Sequence, residues 1–526
     1  MPPIYRLAQA QNRCTDLDSV PAQICNSRIC TGPIPGALYG VDSRLVCHHS
    51  GMSAEAPLYL SLADRLAGLA ASGSLRPGAR LPSVRALSEQ HGVSVSTAVQ
   101  AYRTLEDRGV IEARPKSGFF VRRPRDLPPV PAATRPPTRP VAVEVKAIAD
   151  AVYDLLGEPG YISFGAAAAG ESLYANERIR RALARSAQRH VDGLGRYATS
   201  LGVAELRQAI SRRAVNLGCT LDHGNVVVTN GCTESITLCL RALTQPGDVI
   251  AIESPTYFGF LRALQALGLR AVEIPMQPRT GMSLDALELA LDTQPIKAVL
   301  AVPTVSNPMG TVMPTGSKKR LAAMLGRRGI PLIEDVICNE LAPTEEGRRA
   351  VRSFDSDGQV LLCGSFGKTL APGLRGIGWV EAGRWSSEVA SLKRSFSGGG
   401  STVVEWAVAD LLEHGGYEQS LRQLRRNFAE QVDIARQIIG SAFPSGTKVT
   451  DPGAGFVLWV ELPRSVDAIE VYRRCIGQGI VVVPGPLFTT TTRYRNCLRL
   501  NAGAPWTAER EQALRVVGQV AASLAA

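Results

Sequence analysis

Apolar and polar positions fall into a regular pattern only after Met52, and the first clear element begins at Pro57. Leu58, Leu62, Leu66 and Leu69 recur at helical spacing, with Gly73 as a stop. Ser83 is placed to cap a second helix ending at His91, "GVS" reads as a tight turn, and Ser94 is placed to cap a third helix ending before Gly109. Two short β-prone runs follow, "VIEAR" and "GFFVR", joined by a turn at Pro115–Gly118. The pattern predicts two helices about a short turn, an earlier helix beside them, and a hairpin.

Residues 122–141, "RRPRDLPPVPAATRPPTRPV", hold seven prolines and five arginines and cannot pack a core. They read as a semi-extended, solvated linker, a basic arm touching DNA being the other reading. Beyond them "NVVVTN", "DVIAIES", "RAVEIPM", "KAVLAVP", "IPLIED", "QVLLCGSF" and "GIGWVEA" are β-prone runs bounded by Gly, Pro or Asp, several separated by helical patterns. Runs apolar on both faces imply a mainly parallel sheet covered by helices. After about residue 385, longer helices precede "GFVLWVEL", "GIVVVPG" and "CLRLNAG", a smaller α+β lobe. The predicted fold is an α+β winged helix-turn-helix at 55–123, a Pro-rich linker at 124–145, and an α/β large domain with a small α+β lobe at 146–526.

Composition narrows this little. The 526 residues are 45% hydrophobic and 20% charged, a globular balance, with no apolar run long enough for a membrane span. A net charge of +11 is compatible with nucleic-acid binding without requiring it. No secretory signal opens the chain. Of eleven cysteines, Cys14, Cys25, Cys30 and Cys47 crowd the start, near His48 and His49. Their spacing lacks the close ligand pairs of a zinc module, so no metal is expected. Residues 1–51 are expected to be a disordered extension or the product of a start codon set too early. The other cysteines read as reduced, buried small hydrophobes.

In a parallel sheet, ligands collect where the strands end. Asp335 closes "IPLIED"; Ser365 and Lys368 follow "QVLLCG"; Tyr257 follows "DVIAIESPT"; Asn307 follows "KAVLAVP"; and Gly231, Cys232 and Thr233 open a helix whose free N–H groups suit a phosphate. Each has an ordinary alternative, as surface turn, core aromatic or exposed lysine. Together they match what pyridoxal phosphate requires: a lysine for the aldehyde, a carboxylate for the ring nitrogen, an aromatic face and a phosphate cradle.

"LPSVRALSEQHGVSVSTAVQAYRTLEDRGVIEARPKSGFFV" resembles the DNA-binding domain of the GntR family. "TNGCTESI", "ESPTYFG", "SNPMG", "IED", "SFGKTLAPGLRGIGW" and "LRLNAG" resemble fold-type-I aminotransferases over roughly residues 160–520. The two joined by a linker resemble the MocR regulators. That resemblance implies that Lys368 carries the cofactor, Asp335 pairs with the ring nitrogen, Asn307 bonds the 3-oxygen and Tyr257 stacks on the ring. It also implies that Ser365, Arg375 and Gly231–Thr233 hold the phosphate, and that Arg499 grips a substrate carboxylate. Tyr197 would reach the partner subunit of a homodimer. Arg85, Ser94, Ser96, Thr97, Gln100, Lys116 and Gly118 would face operator DNA, while Val95 and Val99 stand where many relatives carry arginine, reducing guanine readout. The implied protein is a cytoplasmic regulator, nucleoid-associated on DNA, that responds to an amino acid or related amine.

Three departures qualify the match. Cys338 replaces the tyrosine usual three positions after the aspartate, Gly367 replaces a small polar residue, and "FGAAAAGES" lacks a common proline. Transaminase activity is therefore expected to be weak. The alternatives are a working cytosolic aminotransferase with an appended DNA reader, and a DNA-binding protein whose large domain has lost the cofactor. A chain begun at Met52 is expected to fold and to bind cofactor and DNA as the full chain does. About one zinc per full-length chain, lost on that truncation, would overturn the reading of residues 1–51.

Overall fold

Helix α1 (Leu58–Ala71) is the first described element, followed by α2 (Val84–His91) and α3 (Val95–Asp107). The computed structural model describes residues 57–526 apart from 72–73, 76–77, 115–116, 123–126, 136–138, 144–147, 156–157, 375–376 and 526. The expected extension 1–51, with its cysteines and histidines, lies outside the described residues, as do Gly73, Lys116 and Arg375. Both anticipated caps form: the Ser83 hydroxyl accepts the Ala86 N–H at 3.2 Å and Ser94 that of Thr97 at 3.1 Å. Gly92 turns the chain between the helices in the left-handed region, at φ 61°. Strands β1 (Ile111–Arg114) and β2 (Gly118–Val121) pair as the antiparallel hairpin.

Leu62, Leu66, Leu87, Ala98, Tyr102, Leu105, Ile111 and Val121 form the core of this small domain, and the Tyr102 hydroxyl donates to the Pro82 carbonyl at 2.8 Å. Leu58 and Leu69, placed by spacing on the same stripe, are 62% and 40% exposed. They sit near the two ends of the helix.

The large domain is built on a nine-stranded sheet. Its strands are β3 (Val141–Ala142), β4 (Val226–Thr229), β5 (Val249–Ser254), β6 (Arg270–Gln277), β7 (Ile296–Ala301), β8 (Leu332–Asp335), β9 (Val360–Ser365) and β10 (Gly378–Glu381), in the order β3-β6-β5-β7-β8-β9-β10-β4. A short strand, Gly281–Met282, pairs at the edge with β6. From β6 through β9 the neighbours are parallel; β10 runs against both β9 and β4. Alternate residues feed two cores. Val249, Ala251, Val299 and Ala301 pack into one, and Ile250, Ile252, Ala298 and Leu300 into the other. Both faces are covered, which is why these runs read as continuously apolar. The small lobe carries an antiparallel four-stranded sheet that includes Val457–Glu461 and Cys497–Asn501. Among the described residues no helix is long and apolar enough to cross a membrane.

The linker departs from expectation. Its described part is extended, but it lies along the large domain instead of standing in solvent. The Pro129 carbonyl accepts from Val449 N–H at 2.9 Å, and Thr134 N–H donates to Met276 O at 2.9 Å. The Thr134 hydroxyl accepts from Met276 N–H at 2.6 Å and donates to Ser254 O at 2.7 Å. Val141 and Ala142 then add to the sheet edge against Ala271 and Arg270. Prolines hold such a segment extended and bring few N–H groups needing partners, so it can lie flat on a surface. At the other end, Arg122 ion-pairs with Asp433 on the long helix Tyr417–Ala442.

Leu105 is fully buried, so Leu105→Ala is expected to destabilise the winged helix by about 2–5 kcal/mol. Denaturant titration followed by loss of DNA binding measures it, and an unchanged midpoint would contradict this core.

Candidate functional site

Lys368, Asp335, Cys232, Cys338 and Arg499 share one electrostatic neighbourhood at the carboxyl edge of the sheet. Asp335 ends β8 in register with Cys363 of β9, and both strands deliver their next residues to the same side. Asp335 is buried, and its Oδ1 accepts the Ile337 N–H at 2.9 Å and the Cys232 thiol at 3.4 Å. Burial pushes its carboxyl up to about 6, against the pull of those two donors and of Lys368. Burial likewise lowers the Lys368 ammonium, an effect the Arg499 charge reinforces and the Asp335 carboxylate opposes. The Lys368 Nζ donates to the Ala167 carbonyl at 2.5 Å.

Helix α4 (Cys232–Leu243) begins directly beyond β4, at Gly231 with φ 83°, and no side chain caps it. A Cβ at Gly378 would lie 2.3 Å from the Gly231 carbonyl carbon, so β10 must carry glycine to let this turn close. Uncapped N–H groups at a helix start are a ready anion site. Ser365 closes β9, its hydroxyl accepting the Gly367 N–H at 3.0 Å. Tyr257 follows β5 with its ring edge-on to Phe260 at 5.4 Å. A Cβ at Gly259 would lie 2.4 Å from that ring, so glycine is needed for the ring to occupy its place. Asn307 is half-buried, and its amide oxygen has no hydrogen-bond partner.

Arg499 is 1% exposed on its small-lobe strand and donates to Gly165 O. Asn501, two residues on, donates to Ala168 O at 2.8 Å. The segment "GAAAAG" therefore links Lys368, through Ala167, to the strand carrying Arg499. Sequence reading passed over Ala167, which acts through a carbonyl that any residue supplies, and over Asn501, whose side-chain amide reaches a carbonyl 333 positions away. Thr134 was missed for a similar reason: nothing in a proline-rich string distinguishes one threonine. Cys338 packs, half-buried, against the cluster that includes Tyr174 and Phe456, and burial pushes its thiol up to about 12, so it stands there as a neutral group. Tyr197 is fully exposed and joins none of these residues within one chain.

At the other end of the chain Ser94, Ser96 and Thr97 gather at the start of α3. The Ser94 hydroxyl lies 2.8 Å from both of the other hydroxyls. Arg85, Gln100 and Gly118 are exposed.

Family comparisons agree with this architecture. Residues 167–517 match the aminotransferase class I and II family, and residues 58–121 match the bacterial regulatory proteins of the gntR family. An uncharacterized HTH-type transcriptional regulator of Escherichia coli, YjiR, is 36% identical over 88% of this chain and 98% of its own length. The chain belongs to the MocR-type regulators. A probable rhizopine catabolism regulatory protein of Rhizobium meliloti, MocR itself, is 26% identical over 82% of this chain and 87% of its own. Among solved structures, the α-aminoadipate aminotransferase LysN of Thermus thermophilus, complexed with N-(5'-phosphopyridoxyl)-L-leucine, aligns with a TM-score of 0.65 at 24% identity. The alignment covers 72% of this chain and 99% of LysN. This MocR-type chain is thus a DNA-binding transcription regulator with an aminotransferase-like domain, whose cofactor is pyridoxal phosphate. The site fits that group. A buried carboxylate, a lysine with lowered basicity and an uncapped helix start are the features it requires.

The Asp335 shift sets a pH dependence. A carboxyl raised from 3.8 to about 6 binds its proton more tightly folded than unfolded. Its contribution is full below pH 3.8 and is lost as pH rises through 6. Asp335→Asn should therefore stabilise the cofactor-free chain above about pH 6, by about 3 kcal/mol at most. The gain should fade toward about pH 4, and cofactor uptake should weaken. Thermal melts of the cofactor-free proteins at about pH 5 and 8 measure it, and a pH-independent difference would contradict the buried-carboxyl account.

Proposed function

We propose that this regulator binds operator DNA as a homodimer and that an amino acid or related amine, captured at the Lys368 site, changes that binding. It would act in the cytoplasm, on the nucleoid when DNA-bound. The observation that carries the reading is the docked linker. Within the described linker, Thr134 fastens to Ser254, three residues before Tyr257. The Ser254 hydroxyl also bonds Glu273 at 2.6 Å and Tyr494 at 2.9 Å, and Tyr494 lies in the small-lobe segment that leads to Arg499. Movement of either the ring-stacking tyrosine or the carboxylate-binding strand has a direct route to the linker.

Each side chain has a role in this reading. Bound pyridoxal phosphate supplies an aldehyde that condenses with amines and a ring that withdraws electrons. Lys368 would hold it covalently, with its lowered basicity leaving more of the amine neutral and nucleophilic. Asp335 would keep the ring nitrogen protonated, Asn307 would donate to the 3-oxygen, and Tyr257 would cover one face. The N–H groups of Gly231–Thr233 with Ser365 and Arg375 would hold the phosphate, joined by the partner's own copy of the exposed Tyr197. The Arg499 fork suits a carboxylate. On DNA, α3 would enter the major groove with Ser94, Ser96, Thr97 and Gln100 forward, Arg85 beside them, and the Lys116–Gly118 turn near the backbone. A second reading, a working aminotransferase, draws on the intact Lys368, Asp335 and Arg499. Cys338 weighs against it, because a half-buried neutral thiol is a poorer donor than a phenol.

The test uses the full chain reconstituted with pyridoxal phosphate and the DNA flanking its own gene. Wild type should show a visible absorbance band that borohydride abolishes, and a panel of amino acids and amines should contain one that shifts DNA affinity on the order of fivefold. Lys368→Ala should keep DNA binding and lose both the band and the shift. A colourless wild type, or no responsive amine, would refute the proposal. Rapid single-turnover conversion to pyridoxamine phosphate would favour the enzyme.

A further inference from the structure

The Cys232 side chain has no role in the account above, which uses only its backbone N–H. That side chain is 6% exposed and packs among Ile252, Ile333, Leu361 and Cys363. Its hydrogen-bond partner in that apolar setting is Asp335 Oδ1, at 3.4 Å. Oδ1 also receives the Ile337 N–H. Two protein donors thus commit one carboxylate oxygen and leave Oδ2 as the oxygen with capacity for a further donor.

Cys232 is at the same time the first residue of α4, the helix start that suits a phosphate. In pyridoxal phosphate the ring carbon that bears the phosphate arm is separated from the ring nitrogen by a single ring carbon. The cradle and the carboxylate must therefore stand at a fixed spacing and angle, although they come from different strands. We infer that Cys232 is a positioning residue: through its thiol it fixes Asp335 against the helix start, so that phosphate cradle and ring-nitrogen carboxylate are held as one unit. The inference rests on the cofactor reading and goes beyond it, since that reading needs only the cysteine's backbone. A cysteine serving purely as a small hydrophobe would pack equally well with its sulfur turned from the carboxylate.

Losing the thiol also has a definite electrostatic sign. Its hydrogen bond favours the ionised carboxylate, so its removal leaves Asp335 harder to ionise. Lys368, Cys338, Cys363, Glu253 and Glu334 face Asp335 as well and remain in place in every variant below.

The test is direct binding of pyridoxal phosphate to the full chain, followed by fluorescence quenching at about pH 6 and 7.5, for wild type, Cys232→Ala and Cys232→Ser. Alanine should weaken binding about five- to tenfold, as for one lost bond to a charged group, and more at the lower pH than at the higher. Serine, which restores a donor, should return both the affinity and the pH profile toward wild type. If the alanine chain does not fold, Cys232→Val, which fills the space without a donor, takes its place against serine. Equal binding by the donor-free variant and wild type, or a loss that serine does not rescue and that is the same at both pH values, overturns the inference while leaving the cofactor reading intact. A wild type that takes up no pyridoxal phosphate overturns both.

Discussion

Everything at this site depends on a carboxylate buried at the end of a parallel strand. Asp335 has left water, so its charge must be met by donors and a cation, or its proton must stay on. The fold meets it on several sides: the Ile337 N–H, the Cys232 thiol and the nearby Lys368. The residual rise in its proton affinity marks a site not yet fully compensated, which a protonated ring nitrogen would complete. The lysine has the mirror-image problem, with burial and Arg499 disfavouring its charge. Each group is left readier for a partner than for isolation.

The same sheet edge explains why distant residues converge. Parallel strands end on one side, so the residues after β5, β7, β8 and β9 are delivered to it whatever their separation in sequence. Strand β10 reverses direction and brings β4 back into line, which sets the phosphate-suited helix start beside the lysine strand. The small lobe closes the arrangement from another direction, through Arg499 to Gly165 and Asn501 to Ala168.

A regulator built this way needs a path from that edge to its DNA reader. The described linker is tied to that edge, because Thr134 engages Ser254, and Ser254 engages both Glu273 and Tyr494. Glu273 in turn accepts from Thr489 and Thr490, so the small-lobe segment 489–494 is held to the same group of residues. In the proposed regulator, Cys338 would favour capture of the amine over turnover. A neutral thiol beside the cluster of Tyr174 and Phe456 is a shorter and weaker donor than a phenol.

Much of this was legible from residues alone. Caps at Ser83 and Ser94, the β1–β2 hairpin and the β-prone runs are local features, set by hydrogen-bonding chemistry and by side-chain periodicity that the sequence states directly. The identity of Lys368, Asp335 and Asn307 as candidates was equally readable, because strand ends in a parallel sheet have known positions, whereas Arg499, inside an antiparallel strand, was reached only through the family resemblance. Contacts across the sequence were decided by tertiary structure. Leu58 and Leu69 obey the helical period yet lie exposed, since periodicity places residues on a stripe but not at the point where another helix crosses it. The linker's composition excluded a core of its own and said nothing about a surface waiting to receive it. Cys232 could be read as a helix start from its neighbours, whereas its thiol's contact with Asp335 spans 103 positions. It exists only because two strands of the sheet bring both residues to one edge.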